Sequence, residues 1–306
     1  MNLNKCDKMY SNKLEFLEFL NWLVNLNNEK YYEDITSVSS SKGENPKSLV
    51  ESDVQILNIE QIMLEKYGEN NTPAIVDGIY FNFNKKNKLC LFFIEFKGDK
   101  LDKKPLKEYY KNNICTIKES TCGIQILDCP NKHLNQSKIR KIYEHYEDEM
   151  TVQLKLKPLE TILIAIPTLF REYKKISDTS NALLRDYFNC NIYVVYANDI
   201  NSSNTHLTIK QEIEDKYASY QKNGIITLYK VMPNDDFADN FIPKINLFPI
   251  HFLNYILNIV NYLKENPIEK NDFDNEIDSL IELEFEDENI TPNQKKKLHK
   301  IIYSLC

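Results

Sequence analysis

The chain has 306 residues, 42% of them hydrophobic and 27% charged, with a formal net charge of −7. That apolar fraction can bury a sizeable core and excludes a disordered chain, while the negative balance excludes a surface coated uniformly for nucleic acid. Seven scattered cysteines without a C-x-x-C pair or a secretory signal exclude a disulfide scaffold and imply a reduced, cytoplasmic setting.

In chain order, the apolar spacing predicts a first helix over 12–27, amphipathic because Glu18 interrupts the run from Phe16 to Leu26. A polar loop follows at 36–47. A second helix is expected from Leu49 to Tyr67, closed by Gly68 as its C-terminal cap. Residues 75–83 and 89–96 are rich in β-branched and aromatic side chains and flank the polar turn 84–88, the pattern of a β-hairpin. Beyond it the pattern predicts a helix at 137–150, a strand at 159–167, a helix at 178–188 and a strand at 191–197. The turn-rich segment Asn198 to Thr205 is the expected boundary between a domain at 1–199 and a mostly helical module at 200–306. That module should hold a helix at 207–222, a strand at 224–232, an apolar helix at 249–264 and a terminal helix from Pro292. Residues 249–263 are too short to span a bilayer, so they are read as core, with a homodimer contact as the alternative, and no membrane partner is expected.

The hairpin carries the chemistry. A register symmetric about Lys86 sets Phe83 opposite Leu89 and Asp77 opposite Glu95, and opposed Cβ atoms in an antiparallel pair are about 4.5–5.5 Å apart. Period-two alternation puts Leu91, Phe93, Glu95 and Lys97 on one face. Two opposed carboxylates repel unless something compensates, and Mg2+ (or Mn2+), which takes one or two carboxylates plus waters and phosphate oxygens, would do so. Asp77, Glu95 and the Phe96 carbonyl are the expected metal ligands, with Lys97 placed to orient water or offset phosphate charge.

Asp77, followed eighteen residues later by Glu95-Phe96-Lys97, resembles the PD-(D/E)XK nuclease superfamily. The resemblance implies an α/β fold with a restriction-endonuclease-like core, a central mixed sheet flanked by helices. It implies that Asp77 and Glu95 bind metal, that Lys97 is the catalytic lysine, and that a glutamate on the preceding helix completes the site. Glu60 is the choice, with Glu51 and Glu65 as competitors. Val76 stands where the family's name-giving proline would be. Glu172-Tyr173-Lys174 and Glu214-Asp215-Lys216 repeat the triplet, but neither ends an apolar strand with an aspartate facing it.

Charge is unevenly distributed. From Lys97 to Lys141 eleven basic residues face five acidic ones, and Lys100, Lys103, Lys104, Lys107, Tyr109 and Lys111 are the expected nucleic-acid contacts, phosphate-binding and stacking groups interleaved. Residues 265–288 carry eleven acids and one base, a run that would repel phosphate. The chain holds no Walker loop, G-x-S-x-G elbow, G-x-G-x-x-G turn or H-E-x-x-H pair. The expected function is hydrolysis of phosphodiester bonds in nucleic acid, DNA first. Its alternative is a catalytically inactive nuclease-fold scaffold that binds nucleic acid or a partner.

Overall fold

The computed structural model describes residues 3–26, 31–41, 47–68, 72–84, 88–97, 116–120, 123–128, 154, 156–175, 188–197, 205–245, 249–268 and 272–306. Helix α1 spans Leu3–Val24, and its buried positions Leu14, Phe16, Leu17, Leu20 and Leu23 recur at helical spacing. Strands β1 (Tyr32–Asp34) and β2 (Gln55–Leu57) pair antiparallel. Helix α2 (Ile59–Tyr67) starts at Asn58, whose side chain accepts the Gln61 N–H at 3.0 Å. It stops at Gly68, whose φ of +73° is open to glycine and costly for other residues.

Strands β3 (Gly78–Phe83) and β4 (Leu89–Lys97) form the expected hairpin, with Phe83 opposite Leu89 and Gly78 opposite Ile94. A separate hairpin, β5 (Thr116–Ser120) and β6 (Gly123–Asp128), makes its own two-stranded sheet. Helix α3 then covers 156–174, passing through a π turn at Thr161–Ala165 into regular α-helix at Ile166–Lys174. Strand β7 (Asn189–Tyr196), helix α4 (Thr205–Lys222) and strand β8 (Leu228–Pro233) follow. Helical turns over 234–245 lead to α5 (Phe252–Glu265), α6 (Phe273–Glu284) and α7 (Pro292–Leu305).

The main sheet runs β1-β2-β3-β4-β7-β8, antiparallel from β1 to β4 and parallel across β4-β7-β8. This is an α/β architecture with an open mixed sheet between helices. On one face Phe93 meets Phe188, which stacks on Phe16 of α1 with ring centroids 4.9 Å apart. Phe170 of α3 closes edge-on against Phe19 at 5.1 Å. On the other face Phe92 and Tyr193 pack on Phe241, and Phe96 on Phe237. With both faces covered, β4 is a near-continuous apolar run. Glu95, and Lys97 at the strand's end, are the exceptions.

Three expectations need correction. The helix foreseen from Leu49 begins only at Ile59, because Gln55–Leu57 is drawn into the sheet beside β1 and β3. The strand foreseen at 159–167 is helical: Ile162, Ala165, Ile166 and Leu169 are buried while Leu163 and Ile164 are exposed, a helical rather than alternating pattern. The β5–β6 hairpin stands where no strand was expected. The helix expected at 137–150 and nearly all of that at 178–188 lie outside the described residues, as do residues 198–204 of the boundary segment. Downstream of it, β8 joins the first half's sheet and α5 packs on α1. Phe252, Ile256, Val260 and Leu263 of α5 are buried, so that helix is core. No described helix is long and apolar enough to cross a membrane.

Gly78, beside Asp77, is held tightly against β2. A Cβ there would collide with Cδ1 of the buried Ile56. Gly78→Ala should therefore cost about 1–3 kcal/mol of stability. Ile56→Val, which deletes that Cδ1, should recover much of the loss in the double variant, as read by urea unfolding. Purely additive losses would show that the clash is not the cause.

Candidate active site

Three elements converge at the carboxyl ends of the parallel strands, where open α/β sheets bind ligands. Glu95 and Lys97 close β4, paired with Val194 and Tyr196 at the end of β7. Asp77 lies one residue before β3, and the hairpin register carries it to Glu95. Its Oδ2 accepts the Phe96 N–H at 2.6 Å. The strand-end backbone thus fixes one oxygen of Asp77 and leaves Oδ1 turned to the third element, α3.

Helix α3 supplies Lys157. Its Nζ is 2.8 Å from Glu95 Oε1, 3.1 Å from Oε2 and 3.5 Å from Asp77 Oδ1. Lys97 Nζ is 2.9 Å from Glu95 Oε1. Glu95 is fully buried, a position that costs a lone carboxylate several kcal/mol and is tolerable only with opposite charge at hand. Neither ammonium meets Oε1 at hydrogen-bonding alignment, so this buried oxygen is held by charge rather than by a directed bond.

The electrostatics follow from burial. Desolvation, and then the Glu95 charge, raise Asp77 from its ordinary 3.8 to about 7 against the pull of Lys157 and the Phe96 N–H. For Lys157 burial acts downward, but Asp77 and Glu95 outweigh it and push the ammonium up to about 12. It therefore stays charged throughout the neutral range.

The same helix grips the segment leading to Asp77. Glu160 accepts the Ala74 N–H at 2.6 Å, and the buried Thr161 hydroxyl accepts the Val76 N–H at 3.0 Å while donating to the Lys157 carbonyl at 2.7 Å. Lys157, Glu160 and Thr161 are the residues of this site that the sequence did not single out. Their signal was the helical spacing of the buried positions 162, 165, 166 and 169, masked by a β-branched run.

Asp77, Glu95 and Lys97 come together as expected. Phe96 contributes its N–H to Asp77 and packs its ring on Phe237. Glu60 sits in the first turn of α2, and its charge acts on both Asp77 and Lys157. Its competitors are placed elsewhere: Glu51 is exposed ahead of β2, and Glu65 accepts hydrogen bonds from Tyr31 and Gln61. Among the described residues no three His, Cys, Asp or Glu side chains gather closely enough to hold an ion. The centre is thus a pair of carboxylates, with Glu60 acting through its field. Lys100, Lys103, Lys104, Lys107, Tyr109 and Lys111, and the cysteines at 115, 122 and 129, lie outside the described residues.

The donor set suits Mg2+ or Mn2+. Two carboxylates already address one cationic centre, and one buried oxygen lacks a directed donor. Comparison with protein-family models, curated proteins and solved structures finds no match.

The raised Asp77 makes stability depend on pH. The folded chain keeps a proton on Asp77 that the unfolded chain releases above 3.8, so the Asp77 contribution falls as pH rises from 3.8 to about 7 and is level above that. In chelator, Asp77→Asn should flatten this decline in urea unfolding free energy. An equally steep decline in the variant would place the proton elsewhere.

Proposed function

We propose that the chain is a metal-dependent nuclease of the PD-(D/E)XK type, hydrolysing phosphodiester bonds of nucleic acid, DNA first, by one-step attack of water on phosphorus. The observation that carries this reading is that a single ammonium lies within ionic reach of both Asp77 and Glu95, so the two acids address one cation. The element order supports it too. A helix bearing Glu60 precedes the hairpin, and a helix and a further strand parallel to β4 follow Lys97.

In this reading Asp77 and Glu95 would hold the cation, with Asp77 Oδ2 kept in place by the Phe96 N–H. A bound divalent ion would lower the pKa of a coordinated water and offset charge on phosphorus oxygens. Lys97, partly exposed and anchored on Glu95 Oε1, directs N–H groups to the attacking water or to a phosphoryl oxygen. Glu60 adds negative charge that favours cation capture. The basic segment beginning at Lys100 would track the phosphate backbone.

A panel of labelled duplex, single-stranded and branched DNA and RNA, incubated with Mg2+, Mn2+ or EDTA, tests the reading. Cleavage should need the metal, and Asp77→Ala, Glu95→Ala and Lys97→Ala should each lower the rate about 10²-fold or more. Full activity in all three variants would end the proposal.

One observation favours a non-catalytic scaffold: Lys97 and Lys157 already balance Asp77 and Glu95. That reading predicts nucleic-acid binding that weakens steeply with salt, needs no metal and yields no cleavage on any substrate in the panel.

A further inference from the structure

Lys157 occupies the place of a cation. Its ammonium is within 3.1 Å of both Glu95 oxygens and 3.5 Å from Asp77 Oδ1, the position between two carboxylates that a divalent ion would take. Two positive centres cannot share that space, so one must yield. The side chain is able to. The Lys157 carbonyl is pinned by Thr161 within α3, whereas the ammonium sits on four methylenes and is partly exposed.

We propose that Lys157 is a resident counterion. It holds Asp77 and Glu95 together in the metal-free protein and competes with the divalent ion for them, and the displaced ammonium passes to a phosphate of the nucleic acid. This rests on the metal-dependent reading above. Charge accounting supports the coupling. With Asp77 ionised, Asp77 and Glu95 are balanced by Lys97 and Lys157, so a divalent ion entering beside both ammoniums leaves the site with excess positive charge. The phosphodiesters of a nucleic acid bring the negative charge that offsets it. Metal and nucleic acid should therefore enter as a couple, each weak alone. An ammonium left trapped beside a bound divalent ion would be strongly repelled by it. Lys157 is accordingly a positioning residue in the free protein and a phosphate contact in the loaded one, distinct from Lys97, which keeps its anchor on Glu95 Oε1.

Mn2+ binding to the full chain, followed by electron paramagnetic resonance of the free ion, tests this. Without nucleic acid, Lys157→Gln, which keeps hydrogen-bond donors but loses the charge, should bind Mn2+ about tenfold or more tighter than wild type. Lys157→Arg should not. A phosphorothioate oligonucleotide should tighten Mn2+ binding in wild type by a similar factor and by clearly less in Lys157→Gln. Circular dichroism melts confirm folding, and Lys157→Met serves if the glutamine variant does not fold. Neutral variants that bind Mn2+ no tighter than wild type, while Glu95→Gln abolishes binding, would overturn the counterion and leave the metal centre standing. Absence of Mn2+ binding in every protein would overturn both.

Discussion

A carboxylate with no exposure to water is the constraint around which this end of the molecule is arranged. Glu95 lies near the end of a central strand of a sheet covered on both faces, where every residue before it and Phe96 after it are apolar or aromatic. An ion so placed must be matched by opposite charge or give up its own. The chain matches it twice, from Lys97 two residues on and from Lys157 on a helix that meets the sheet from one side. Asp77 completes the group, and its burial, with the Glu95 charge beside it, explains why it keeps its proton above the ordinary carboxylate range.

Helix α3 links that electrostatic demand to the fold. Through Glu160 and Thr161 it holds the backbone N–H groups of Ala74 and Val76, and through Lys157 it reaches the carboxylates that this backbone leads to. Phe170, farther along, anchors the helix to α1. Packing in the aromatic layer and charge placement at the sheet's rim are therefore not independent. A disturbance that tilts α3 loosens the Asp77 approach and withdraws the ammonium together.

The hairpin was legible because its information is local. Polar turn, flanking apolar runs and period two fix the register, and with it the meeting of Asp77 and Glu95. Gly68 and Pro292 likewise mark ends that depend on backbone chemistry alone. Lys157 was not legible, since the Thr161 to Ile166 run has strong β propensity and only tertiary packing makes it helical. The start of α2 was obscured for the converse reason: Gln55–Leu57 becomes strand through pairing with β1, a partner more than twenty residues away in sequence. Glu60 could be singled out although the helix start was misplaced, and its charge acts on Asp77 and Lys157 from the first turn of α2.

The π turn in α3 has a bearing on how the site is tuned. Five residues, Thr161–Ala165, wind more loosely than the regular helix that follows, and Pro167, which has no N–H to donate, stands just beyond them. Such a turn acts as an angular spacer. It sets the rotational phase between the segment bearing Lys157 and the segment carrying Leu169 and Phe170 into the aromatic layer. Each residue gained or lost there would twist one half against the other by about 100°. The ammonium's aim is thus encoded in the winding of its own helix, one step removed from any group it touches.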